Sequence, residues 1–206
     1  MRKFTIICLI LFFICFILGI NSYYSHEIEI LKTTVKELKI SENERISDEF
    51  KLAKHIKEVN PSLSDSESII MSKAFFSSAD SVKAGSDFAW LLAAMAEAES
   101  HYQTDKTSKA GAKGVCQIMP NTGKAYADQN GIKFSVDSLF NPEFCIRLQA
   151  IIMKDLRNQH GLSAALVAYN GGPKHAKNWE KGNKSVIPSE SKNYVIKVKT
   201  NMRTMK

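Results

Sequence analysis

The chain has 206 residues, a formal net charge of +7, and 44% hydrophobic and 24% charged residues. That length holds one ordinary domain with appendages, and the sequence carries no internal repeat or low-complexity tract. The charge is uneven: residues 1–20 carry +2, residues 21–60 carry −1 and residues 61–206 carry +6. A basic exported domain suits an anionic surface such as the cell envelope, whereas the absence of a basic-aromatic stripe argues against nucleic acid.

Residues 4–20 form a seventeen-residue apolar run broken only by Thr5 and Gly19. Arg2 and Lys3 precede it and no Lys or Arg follows until Lys32, so the positive-inside rule keeps the N-terminus in the cytoplasm and exports the rest. Tyr23 and Tyr24 fall where an interfacial aromatic belt would sit. Two readings of residues 1–22 stay open: a single-pass anchor in the cytoplasmic membrane and a cleaved signal segment. The run exceeds the usual signal core of about 7–15 residues and meets the short end of the spanning range, roughly 17–25. Either way, residues 23–206 are expected on the periplasmic or extracytoplasmic side.

Residues 23–60 read as a helical stalk, charged and free of Gly from position 26 onward. Ile28, Leu31, Val35 and Leu38 make a short a/d stripe that Glu42 and Arg45 break, and Ile46, Phe50 and Ala53 restart it out of phase. Two broken heptads do not make a coiled coil. The stalk is expected to pack on the domain or on a partner helix, such as one from a secretion or envelope complex. Asn60-Pro61 marks the boundary to a domain spanning residues 61–206, because the residue before proline disfavours helix.

Within that domain the pattern is mainly α. A helix is expected from Asp65 or Ser66 to about Ala84, and another from Ser86 or Asp87 to about Ser100. Residues 103–114 read as loop, with a small hairpin open at 103–117 or 129–137. Pro120 opens a helix to about Gln129. Asn141-Pro142-Glu143 supplies a cap, a first-turn proline and an early acid for a helix to His160, stopped by Gly161. A short helix over 163–169 should end at Gly171-Gly172-Pro173, and a last one should begin near Glu190.

From Phe88 to Met95 no residue is polar, so this helix is apolar on every face and should be central to the core. Glu97 and Glu99 end it. Desolvation raises a carboxyl pKa and makes a proton donor usable near neutrality, which is the chemistry of glycosidic bond cleavage. Two residues apart is roughly 200° of helical rotation, so only one of the pair can face a cleft. Glu99 shares a face with Leu92 and Met95, which favours it; a solvated helix-end carboxylate is the alternative for either. Cys116 and Cys145 are the only cysteines in the exported part, where an oxidising compartment permits a disulfide. Two separate buried thiols are the other reading.

Glu99-Ser100, Ser108, Gly111-x-x-Gly114, Gln117, Met119-Pro120, Ala168-Tyr169-Asn170 and Glu190-x-x-x-Tyr194-Val195 together resemble the soluble lytic transglycosylase family over roughly residues 62–200. The resemblance implies a lysozyme-like (goose-type) helical fold that acts on peptidoglycan glycan strands. The reaction it implies cleaves between N-acetylmuramic acid and N-acetylglucosamine and leaves a 1,6-anhydro ring. By position, Glu99 matches the catalytic carboxylate, general acid and then base. Ser108, Gln117, Met119, Tyr169, Asn170, Glu190 and Tyr194 match substrate-binding or cleft positions. Each also has a plainer reading: Met119 as core, Tyr169 as a helix-end residue, Glu190 as a cap. The chain departs from the family at His101-Tyr102, Cys116 and Cys145. Both unusual cysteines fall in elements that the resemblance packs near the cleft, which favours their pairing.

No metal and no cofactor is expected: the five histidines lack ligand spacing and Ser100-His101 lacks a nucleophile-elbow context. Two other classes stay open, a hydrolytic muramidase on the same fold and a non-catalytic peptidoglycan-binding subunit of an envelope or secretion machine.

Overall fold

The computed structural model describes the backbone of residues 2–205 and the side chains of residues 23–205. Among the described residues there are seven α-helices, two short 3₁₀ turns and no strand. The chain divides into two units, Met1–Ser47 and Asp48–Lys206. The anchor or signal expected in residues 1–22 lies outside the described side chains. Among the described residues no helix is long and apolar enough to cross a membrane.

Helix α1 spans Arg2–Val59. In the first unit its stripe residues Ile28, Leu31, Val35 and Leu38 are all solvent-exposed. The second unit reaches back beyond the expected boundary at Asn60-Pro61. Leu52 and Ile56, one helical turn apart, are fully buried and belong to its core. The chain does break at Asn60, but burial starts two turns earlier because this i, i+4 pair faces inward. Asn60 then fixes the break by donating from Nδ2 to the Tyr102 carbonyl at 3.1 Å.

Helix α2 (Asp65–Ser81) is capped by Ser64 rather than by Asp65 or Ser66. Glu67 accepts from the Ser64 N–H at 2.7 Å and returns its own N–H to Ser64 Oγ at 3.2 Å. This reciprocal pair is a capping box, which satisfies two orphan donors at once.

Helix α3 (Ser86–Ser100) is the centre of the second unit, and residues 88–96 are at most 3% exposed. It packs against α2 and α7 (Ser189–Met205) and touches α5 (Pro142–Gly171). Phe76 and Trp90 meet edge to face at 5.8 Å across the α2–α3 contact. Asn201 of α7 donates to the Ala94 carbonyl at 3.3 Å, a polar tie within an otherwise apolar seam.

Helix α4 (Pro120–Gln129) starts at its proline as expected. Helix α5 is broken at Gly161, whose φ of 68° leaves the helical region. Helix α6 (Pro173–Glu180) was not anticipated: Gly171-Gly172-Pro173 reads as a stop, yet Pro173 at the first helical position starts a new helix. Between α3 and α4 the loop contains only isolated bridges, Thr107 with Lys113 and Lys113 with Ile118.

Gly114 fixes how closely that loop approaches the helical core. Its φ is 71°, and a Cβ built on it would overlap the Leu139 carbonyl oxygen. Gly114→Ala is expected to destabilise the protein by about 2–4 kcal/mol, combining left-handed strain with a backbone clash. Urea denaturation of the two proteins measures this.

Candidate active site

Glu97 and Glu99 leave the last turn of α3 in different directions, as their spacing requires. Glu97 Oε2 meets His55 Nε2 at 2.8 Å, near the end of α1. The Glu99 carboxyl instead faces Tyr194, Lys197 and Glu190 of α7 and Lys106 of the α3–α4 loop. Part of the residue's surface stays accessible, but the carboxyl itself is withdrawn from water. Burial pushes its pKa up to about 7. The Tyr194 hydroxyl makes no hydrogen bond of good geometry, yet it lies close enough to oppose that rise. Lys106 and Lys197 oppose it too, while Glu190 adds to it. Burial and the Glu99 charge push the Tyr194 hydroxyl well up, so it keeps its proton.

The helix end is secured on several sides. His101 takes a left-handed conformation and returns its N–H to the Glu97 carbonyl at 3.0 Å. Ser100 Oγ donates to the Val115 carbonyl at 2.7 Å, fastening α3 to the far limb of the loop. Lys106 Nζ donates to the Glu99 carbonyl at 2.6 Å, and Lys197 Nζ to the Ala98 carbonyl at 3.1 Å.

A cleft of about 440 Å³ lies on the Tyr169 side of this helix end. Its walls include Gln117, Met119, Tyr169 and Asn170, four of the residues singled out from sequence, together with Tyr126 and Ile152. Glu99, Ser108, Glu190 and Tyr194 are not on those walls. Tyr169 Oη donates to the Cys116 carbonyl at 2.8 Å, and its pKa is pushed well up by burial first and then by nearby acidic groups, Glu99 among them. Gln117 holds a φ of 49° and spends its amide on the Lys106 and Gly114 carbonyls, at 3.1 and 2.8 Å. Asn170 accepts from Ser191 Oγ at 2.8 Å. Ser108 Oγ accepts from the Ala112 N–H at 3.0 Å within its own turn. Met119 is 42% exposed, so it is not core. Glu190 is exposed in the first turn of α7, and Tyr194 is buried.

Of the two readings of the cysteines, the structure has the free thiols: Cys116 and Cys145 are both unbonded and fully buried. The Cys116 thiol lies beside Cys145 and donates to Gln149 Oε1 at 3.4 Å. Burial, followed by the neighbouring Cys145, pushes the Cys116 pKa well up. This disfavours the thiolate that disulfide exchange needs. Among the described residues no group of three or more His, Cys, Asp and Glu could hold a metal ion.

Sequence reasoning missed Lys106, Lys197 and the Tyr126–Asp155 pair, whose hydroxyl and carboxylate meet at 2.8 Å beside the cleft. None has a local signature. Lys106 is one of several loop lysines, and only the folded loop brings it onto the end of α3.

The all-helical second unit, with a desolvated carboxyl at the end of its central helix, has the lysozyme-like helical fold of the family its sequence matches. Residues 80–192 match the Transglycosylase SLT domain, more than half of the chain, and the chain belongs to that family. In fold it is similar to the lytic transglycosylase Slt of Pseudomonas aeruginosa, solved as an inactive mutant. The TM-score is 0.58 at 24% identity, covering 65% of this chain and 23% of that one. It is also similar to the 70 kDa soluble lytic transglycosylase of Escherichia coli, at TM-score 0.57 and 24% identity with the same coverages. A complex of the 70-kDa soluble lytic transglycosylase with bulgecin A matches at TM-score 0.57 and 23% identity, over 63% of this chain and 23% of that one. The chain thus spans under a quarter of the length of these proteins. No curated protein matches it.

The raised pKa of Glu99 has a stability consequence. Below about pH 4.5 the carboxyl is protonated in both folded and unfolded chains and contributes nothing. Between 4.5 and about 7 the folded state holds the proton more tightly, so stability falls with rising pH, and above 7 the full cost of a buried anion is present. Glu99→Gln is therefore expected to stabilise the protein by about 1–3 kcal/mol at pH 8 and by much less at pH 4.5. Denaturant titrations at the two pH values check both the sign and the difference.

Proposed function

We propose that the protein is a peptidoglycan lytic transglycosylase that cleaves the bond between N-acetylmuramic acid and N-acetylglucosamine, with Glu99 as its catalytic carboxyl. The observation that carries this reading is one desolvated carboxyl with a pKa of about 7, at the end of the central helix of a transglycosylase SLT domain. Near neutral pH such a group can both give and take a proton.

In the proposed reaction Glu99 donates its proton to the glycosidic oxygen as the bond from that oxygen to the anomeric carbon breaks. The carboxylate left behind takes the proton of the muramic acid 6-hydroxyl as that oxygen bonds to the anomeric carbon. Glu99 ends protonated, no water is consumed, and the second carboxylate of ordinary glycosidases is dispensable. Gln117, Met119, Tyr169 and Asn170 line a cleft suited to a sugar ring, while Ser108, Glu190 and Tyr194 are proposed to bind substrate beside it. The apolar residues 1–22 would tether the enzyme to the cytoplasmic membrane with the second unit outside. The exposed stripe Ile28 to Leu38 is the surface an envelope complex would use.

Purified full-length chain in detergent, given peptidoglycan sacculi, is expected to release muropeptides lighter by one water than hydrolysis products. Glu99→Gln should lower the rate by at least on the order of 10²–10⁴-fold, while Glu190→Gln should keep the anhydro products. Hydrated products would favour a muramidase, and products unchanged by Glu99→Gln would favour a different active site. Activity should fall as pH rises through about 7, because the first step needs the protonated acid.

A further inference from the structure

We propose that Lys106 is a positioning residue for the catalytic carboxyl, clamping the end of α3 to the substrate loop and setting a fixed positive charge beside Glu99. The inference rests on the reading of Glu99 as acid and base given above.

Three bonds carry it. Lys106 Nζ donates to the Glu99 carbonyl at 2.6 Å. The Lys106 carbonyl accepts the Gly114 N–H at 2.9 Å and Gln117 Nε2 at 3.1 Å. One residue therefore joins the backbone of Glu99 to the turn that carries Gln117 on the cleft wall. Ser100 makes a second tie between the same segments, its hydroxyl reaching the Ala96 and Val115 carbonyls.

The electrostatics follow from where Glu99 sits. The last turn of a helix presents unpaired carbonyls and a partial negative charge, which disfavours a carboxylate there. Burial disfavours it further. With nothing opposing these effects, Glu99 would hold its proton too tightly to become the base of the second step. Tyr194 opposes these effects first, and the charge of Lys106 next, stabilising the carboxylate without occupying the cleft. The groups that face Glu99 are Lys106 and Cys116 from the loop, Tyr169 from α5, and Glu190, Tyr194 and Lys197 from α7. Glu97 points to His55 instead. Lys197 is exposed and its charge is screened, whereas Lys106 is half-buried. His101, the C-cap of α3, senses the same field: burial lowers its pKa first, and Lys197 and Lys106 lower it further.

The test compares full-length wild type with Lys106→Arg, Lys106→Gln and Lys106→Met. Arginine keeps charge and donor, glutamine keeps a donor alone, and methionine keeps neither. The readouts are the pH profile of kcat/KM on sacculi and, without substrate, the NMR titration of His101 and of the Glu99 carboxyl carbon. Methionine and glutamine should move the alkaline limb up by about 0.5–1 pH unit, with the two titrations moving the same way, while arginine stays at the wild-type position. Thermal melts identify any variant that fails to fold, and Lys106→Gln is the gentler change. The proposal is overturned when the methionine and glutamine profiles superimpose on wild type, or when arginine shifts as far as methionine. Wild type that yields no anhydro product sinks the function itself, whereas the substrate-free titrations still decide whether Lys106 sets the charge state of Glu99.

Discussion

The desolvation of one carboxyl governs the organisation of the second unit. Helix α3 is apolar on every face from Phe88 to Ala96, so it can be stable only where other elements cover it completely. Helices α2, α5 and α7 do so. After Asp87 in its first turn, this helix carries no charge until its last turn, and that turn is still half inside the domain. Glu99 therefore meets the apolar core, the negative end of a helix and the buried hydroxyl of Tyr194 together. A carboxyl in that setting holds its proton to about neutrality, which is the property an acid-base catalyst needs.

The loop after α3 then has to hold such a helix end still. It contains non-glycine residues at positive φ, namely His101, Tyr102 and Gln117, alongside Gly111 and Gly114. Each left-handed non-glycine residue costs on the order of 1 kcal/mol or more, and persists only where surrounding contacts over-determine it. Those contacts are visible. Tyr102 is fully buried, with its carbonyl bonded by Asn60 and its ring edge-on to Phe75 at 6.4 Å. Ser100 holds the Val115 carbonyl and Tyr169 holds the next one, that of Cys116. The loop is thus pinned from behind by Asn60, α2, α3 and α5 while its outer surface faces the cleft.

Much of this frame was legible in the sequence where a residue type has one physical use. Pro120 and Asn141-Pro142 marked helix starts because proline fits the first turn, and Gly161 broke a helix because its backbone goes where other residues resist going. Gly172-Pro173 was ambiguous for the same reason, since a proline after a helix is also a proline before the next one, and α6 was lost to that ambiguity. The end of α1 falls at the Asn60-Pro61 break as read, but the second unit begins earlier, because charge dominates residues 42–58 and hides the Leu52–Ile56 pair that enters the core. Rotation required Glu97 and Glu99 to part and favoured Glu99, and the family resemblance made the choice. The lysines around it could not be found, because their roles arise from contacts between segments far apart in the chain. The two cysteines do come together, as free buried thiols side by side, with Cys116 also facing Gln149.

Two carboxylates on one helix, two residues apart, end in opposite chemistry. Glu97 has a direct side-chain partner, His55 Nε2, 2.8 Å from its Oε2. Glu99 faces a tyrosine that stays neutral and cations that touch its backbone carbonyl or its neighbour's. A direct ion pair at Glu99 would stabilise the fold but lock the carboxylate form, and the first proton transfer would then have no donor. Placing the positive charges on the Ala98 and Glu99 carbonyls avoids that outcome. They offset the helix terminus and leave the carboxyl near neutrality, as the proposed acid-then-base role requires. The stability lost by burying an acid without a direct partner is, on this view, the condition for using a single residue as both acid and base.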